Sequence, residues 1–158
     1  MKGFKHTALI SLVLLGISAC GGDKSKSSNI IEQVNVNGAV EKGPFIVGST
    51  VTINTLSDQG DNTGSTIVTN TLDDFGSFSF AVNSEALLQI SSTGYYRNEI
   101  TGELSNGTLT LRSIYKTSEE NQQYAYVNLL THLTSNRVLQ LIKSNDISYL
   151  QAIDQAEK

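Results

Sequence analysis

Few side chains in this sequence could do covalent chemistry. Cys20 is the only cysteine, and a thiolate is a nucleophile able to accept an acylglyceryl group. A single Cys excludes disulfide frameworks and Cys-rich zinc sites. His132 and Ser135 set a base three residues from a hydroxyl on a helical stretch. A triad also needs an orienting acid and an oxyanion hole, and neither is visible. No Gly-x-Ser-x-Gly elbow occurs. Glu99 and Glu103 flank Ile100-Thr101-Gly102. Carboxylate pairs about 5–10 Å apart do acid–base work in glycosidases, but these two read as a polar hairpin tip.

Asp58, Asp61 and Asn62, with Asp73 and Asp74, are rich enough in oxygen to consider Ca²⁺. They lack the Asp-x-Asp-x-Asp-Gly ladder and the late Glu of a calcium-binding loop, so they read as solvated turns. No metal or other cofactor is expected. Tyr95, Tyr96, Tyr115, Tyr124 and Tyr126 fall late in the chain. Exposed beside Asn and Gln, they would stack on sugars or on a protein partner. At the edge of a core they would only seal the sheet under the helices, and that plainer reading is preferred. Tyr95 and Tyr96 are the candidate ligand-binding pair. No catalytic residue is assigned, and the chain is not read as an enzyme.

The elements that must position these residues follow from composition and pattern. The formal charge is −4 and charged residues make up 16% of the 158, which excludes a nucleic-acid binder driven by a basic surface. Ser, Thr and Asn total 47, so the polar load is mostly uncharged. From residue 31 to about 118 the pattern is strand and turn. Val34, Val36 and Val40 alternate with polar residues, as do Val51 and Ile53. Residues 65–72 repeat that character, and Phe78, Phe80 and Val82 share one face. Leu88, Ile90 and Ser92 share another, and Leu109 and Leu111 point inward from the last strand. Asp-, Asn- and Gly-rich turns separate these runs.

After Tyr124 the period changes. Val127, Leu130, Leu133, Thr134, Val138, Leu141 and Ile142 fall on one broad helical stripe. Ser144-Asn145-Asp146 breaks that run and offers an N-cap to a second helix through Ile147, Leu150 and Ile153. No Gly or Pro stops this second helix before Lys158. That is as consistent with the front part of a longer protein as with a frayed end. The expected fold is an antiparallel β-sandwich followed by C-terminal α-helices.

At the N-terminus, Lys2 and Lys5 precede an apolar run, Ala8 to Ile17, shorter than the roughly 20 residues of a permanent span. It ends in Ile17-Ser18-Ala19-Cys20-Gly21, which resembles the lipobox of bacterial lipoproteins. The resemblance implies a signal peptide over 1–19 and acylation of Cys20, which becomes the mature N-terminus. Residues 20–30 then form a lipidated, flexible tether. Residues 1–19 carry two Lys and no acid, so the remainder has a formal charge of −6. Gly21, rather than Asp, after the cysteine implies the outer membrane of a Gram-negative envelope.

A second resemblance covers residues 38–96. Gly38-Ala39-Val40, Gly48-Ser49-Thr50-Val51-Thr52-Ile53, Asp74-Phe75-Gly76-Ser77-Phe78 and Ser92-Thr93-Gly94-Tyr95 stand in the order found in the carboxypeptidase regulatory-like domain, a transthyretin-like β-sandwich. It implies a non-catalytic module and brings no active site. The long polar segment Leu56–Thr66 and everything after Tyr124 depart from that pattern.

The expected organisation is therefore a sandwich over 31–118 and a helical extension over 119–158. The expected function is binding or scaffolding at the cell envelope through the Cys20 lipid, with a protein or glycan partner and no nucleic acid. The alternatives are a carbohydrate-binding or adhesive surface module, or the front of a protein whose function lies downstream.

Overall fold

The computed structural model describes residues 32–145 and 147–158. Cys20, the leader and the tether lie outside the described residues. Among the described residues, seven strands precede two helices: β1 (Gln33–Glu41), β2 (Thr50–Leu56), β3 (Asn62–Asn70), β4 (Ser77–Asn83), β5 (Leu87–Gly94), β6 (Leu109–Lys116), β7 (Gln122–Asn128), α1 (Leu129–Asn145) and α2 (Tyr149–Ala156). They form two sheets, β4-β1-β7 and β3-β2-β5-β6. All pairings between neighbouring strands are antiparallel except β1 with β7, which run parallel. The mainly β, two-sheet architecture with helices at its C-terminal end is the one the alternation of residues implies.

Strand alternation builds the core. Val34, Val36 and Val40 of β1, Phe78, Phe80 and Val82 of β4, and Ala125 and Val127 of β7 face Val51, Ile53, Leu88, Ile90 and Leu111 of the other sheet. Each fully buried side chain of this size contributes about 1.5–3 kcal/mol. A second cluster lies on the outer side of the four-stranded sheet. There Leu56, Leu87 and Ile114 receive Val138 and Ile142 of α1 and Ala152 of α2. Tyr149 Oη donates to the Ile114 carbonyl at 3.1 Å and pins α2 to β6.

Four local features differ from the sequence reading. The segment Leu56–Thr66, expected as a long polar loop, is a five-residue turn followed by the first half of β3. The hairpin closes in a short turn, with Ser57 N–H donating to the Asp61 carbonyl at 2.7 Å and Gly60 at φ 81°.

Residues 122–128, expected to open the helical extension, form β7 of the first sheet, so the sandwich runs ten residues past 118. The inward residues of β7 are Gln123, Ala125 and Val127, a weak apolar signal. Buried Gln123 is satisfied throughout. Its oxygen accepts from Ser118 N at 2.9 Å and Tyr115 Oη at 3.2 Å, and its amide donates to the Ser118 and Glu120 carbonyls, each at 2.9 Å.

The helix starts at Leu129 because Asn128 caps it. Thr131 N–H donates to Asn128 Oδ1 and Asn128 N–H donates to Thr131 Oγ1, both at 2.9 Å. The expected stripe is displaced accordingly: Leu130 and Leu133 are exposed, while Ser135, Val138 and Ile142 are buried. The second helix is capped by Ser148, in a box with Gln151, and not by the expected Ser144-Asn145-Asp146.

Candidate ligand-binding face

Among the described residues nothing covers the outer face of the three-stranded sheet, because both helices pack on the other sheet. Alternation turns Gln33, Asn35, Asn37, Ala39 and Glu41 of β1 outward, with Ser79, Ala81 and Asn83 of β4 and Gln122, Tyr124 and Tyr126 of β7. The register sets them in rows. Ser79 lies beside Asn37 and Asn37 beside Tyr124; Ala81 lies beside Asn35 and Asn35 beside Gln122. Neighbouring strands are about 4.8 Å apart, and the two tyrosines are spaced about 6.6 Å along β7.

Tyr124 is 62% exposed and Tyr126 52%. Both are edge residues, since β7 pairs on one side only. The edge-sealing role expected of them belongs instead to Tyr115, half-buried against the core. The tyrosines point outward because Gln123, Ala125 and Val127 take the inward positions. The face carries carboxamides, hydroxyls and two phenols, with one charge, Glu41, at its end. The four ion pairs among the described residues all lie elsewhere.

On the side away from β1, the tyrosines border a groove of about 240 Å³ under α1 and α2. Leu130, Thr134 and Ile153 line its far wall. Such a surface can stack a ligand on two rings and hydrogen-bond it from the flat side. No known family profile matches the chain, and no curated protein is similar to it.

The residues singled out in the sequence are placed as follows. Tyr95 is 42% exposed. Tyr96 is half-buried, its ring 6.2 Å from that of Phe45 and capped by Lys42 Nζ at 5.0 Å from the centroid. The pair is thus divided between solvent and core edge and does not make one platform. Ser135 is buried and gives its hydroxyl to the His132 carbonyl at 2.9 Å, a bond within the helix. His132 Nδ1 is buried without a hydrogen-bond partner. Glu99 accepts from Gly43 N–H at 2.9 Å and ties two loops together. Gly43 is required there: its φ is 65°, and a Cβ would strike the Arg97 carbonyl.

The acidic turns are also committed to the fold. Asp61 pairs with Lys143 at 2.6 Å. Asp73 accepts from Phe75 N and Ser77 N, each at 3.0 Å, and the bond from Ser77 holds its carboxyl below the usual aspartate value. Asp74 accepts from Val47 N at 3.1 Å and faces Arg97 at 3.5 Å. Among the described residues, no three His, Asp or Glu side chains gather closely enough to hold a metal ion.

Tyr149 is the most perturbed phenol. Burial first, then the neighbouring Tyr115, pushes its pKa up to about 12. Its hydroxyl is occupied by the Ile114 carbonyl, which makes it an anchor of α2.

Proposed function

We propose that this protein is a non-catalytic binding module held at a bacterial cell envelope by lipid on Cys20, and that the Tyr124–Tyr126 face is its recognition surface. The observation that carries the reading is the exposure of these two rings side by side on an edge strand. Of the candidate catalytic side chains, by contrast, Ser135 and Glu99 make bonds that hold the fold.

The anchor rests on Ile17-Ser18-Ala19-Cys20-Gly21 and on the polar stretch Gly21–Asn29. Fully stretched, that tether reaches about 30 Å, enough to hold the sandwich off a leaflet. Several acyl chains on one cysteine, at about 0.8 kcal/mol per buried CH₂, make the attachment stable. Gly21 after the cysteine points to the outer membrane, and the resemblance of residues 38–96 to regulatory-like sandwiches favours binding over catalysis.

The test is cosedimentation of the full chain, in detergent micelles, with delipidated envelope fragments, on which the Cys20 lipid finds no bilayer to hold it. The wild type is retained, and Tyr124→Ala with Tyr126→Ala lowers retention about tenfold, the loss expected from removing aromatic anchors. Equal retention of the double variant would overturn the reading.

A second reading rests on α1 and α2, where Leu130, Leu133 and Leu150 are 63%, 69% and 76% exposed. They would dock an apolar segment of a partner or of a further domain. In that case Leu130→Glu with Leu133→Glu abolishes retention and the tyrosine variants keep it.

A further inference from the structure

We infer that the outer face of β4-β1-β7 binds a neutral glycan chain. This rests on the binding-module reading above and names its ligand class. A sugar ring offers an apolar C–H face and a rim of hydroxyls, so its receptor needs a flat aromatic surface next to groups that both donate and accept hydrogen bonds. The carboxamide is the side chain that does both from one rigid plane.

The register supplies this combination. Asn37 stands next to Tyr124, and Gln122 and Asn35 lie in the adjoining row. Ser79 extends the Asn37 row. Asn35, Ser79, Gln122 and Tyr124 are exposed and Asn37 is half-buried, so no element among the described residues covers these groups.

Charge selects among ligands. Lys and Arg are absent from the outward positions of these three strands, and Glu41 is the single acid. A phosphate- or uronate-bearing polymer would find no cation here and would meet a protein of net negative charge. A neutral chain suffers neither penalty. The spacing of about 6.6 Å between Tyr124 and Tyr126 lets both rings contact one chain laid along β7. A chain crossing the strands instead would run over the carboxamide rows.

The experiment titrates the full chain, in detergent micelles, with neutral oligosaccharides of glucose, mannose, xylose and N-acetylglucosamine. Polygalacturonate and heparin serve as the acidic arm. The expected result is saturable binding of at least one neutral series. It should be unchanged between about 0.1 and about 1 M salt, over which the Debye length falls about threefold. Tyr124→Ala and Asn37→Ala each weaken it about tenfold, while Tyr124→Phe keeps most of it and Tyr95→Ala all of it. These side chains are exposed or at the surface, and unchanged thermal melting of each variant excludes misfolding.

The inference is overturned if no neutral series binds, if only the acidic polymers bind and salt removes them, or if Tyr124→Ala binds as the wild type does. When sugars fail but envelope retention still depends on Tyr124 and Tyr126, the ligand class is wrong and the recognition surface stands. When retention is also indifferent to the tyrosines, the binding-module reading falls with it.

Discussion

Gly38→Ala strains the contact on which the parallel β1–β7 pairing depends. Gly38 is mid-strand on the inward side of β1, opposite Phe78 of β4 and Ala125 of β7. A Cβ at that position falls on the Ala125 carbonyl oxygen and on the edge of the Phe78 ring. Phe78 Cε1 would lie 2.9 Å away, where ordinary contact begins near 3.4 Å. The ring has little room to retreat, being 1% exposed and stacked on Phe80 at 6.1 Å. The oxygen belongs to backbone, so relief there means moving β7 away from β1.

Overpacking a tight core costs about 1–3 kcal/mol, and a backbone obstacle puts this case near the upper end. Reduced freedom of the unfolded chain returns about 0.4–1 kcal/mol. The net loss is about 2 kcal/mol, or roughly 8 °C in Tm at about 4 °C per kcal/mol for a domain of this size. The assay is thermal unfolding of the full chain by circular dichroism. Gly107→Ala is the control, since a Cβ there meets nothing within 4 Å. In a Phe78→Leu background the Gly38→Ala penalty shrinks, because one of its two obstacles is smaller, but it does not vanish. A Tm within about 2 °C of wild type for Gly38→Ala would refute the close approach of β7 to β1.

Thr117 is buried, and its hydroxyl accepts from Ala86 N at 2.8 Å and donates to the Asn83 carbonyl at 3.1 Å. Thr117→Val leaves that N–H unpaired and costs about 1–3 kcal/mol in denaturant unfolding. Thr110→Val, which loses an exposed bond to Thr93, stays within about 0.5 kcal/mol. Tyr149 titrates near 12 in the fold against 10.0 for an unperturbed tyrosine. Its folded pKa is raised, so its stabilisation is complete below about pH 10 and is lost as pH climbs toward 12. Alkaline unfolding monitored by phenolate absorbance should show that loss, and Tyr149→Phe should lack this part of it. Cys20→Ala should move the protein out of the membrane fraction, with mass spectrometry of the N-terminal peptide showing no acyl mass. Retention of Cys20→Ala in that fraction, or a wild-type N-terminal peptide that carries no acyl mass, would remove the anchor from the account.

The inward faces of β1, β2, β4, β5 and β6 were legible because Val, Ile, Leu and Phe alternate with polar residues there. Strand β7 was not, because its buried row begins with Gln123 and its exposed row holds Tyr124 and Tyr126. The hydrophobic alternation is therefore reversed, and the polar network around the Gln123 carboxamide cannot be read from spacing. The same inversion hid the candidate site. Period-two spacing puts Tyr124 and Tyr126 on one side, but which side faces the core depends on the partner sheet. The parallel register that sets Asn37 next to Tyr124 joins segments nearly ninety residues apart, a long-range pairing with no local signal. Leu130 and Leu133 misled for a related reason: the Asn128–Thr131 cap fixes where α1 starts and how it rotates, and so turns them outward.

The most direct test of the central claim is hydroxyl-radical footprinting of the full chain with and without isolated envelope fragments. Oxidation of Tyr124 and Tyr126 should fall sharply on binding, while that of Tyr95, exposed away from the face, stays the same. Equal oxidation of Tyr124 and Tyr126 in the bound and free protein would contradict the assignment of this face as the recognition surface.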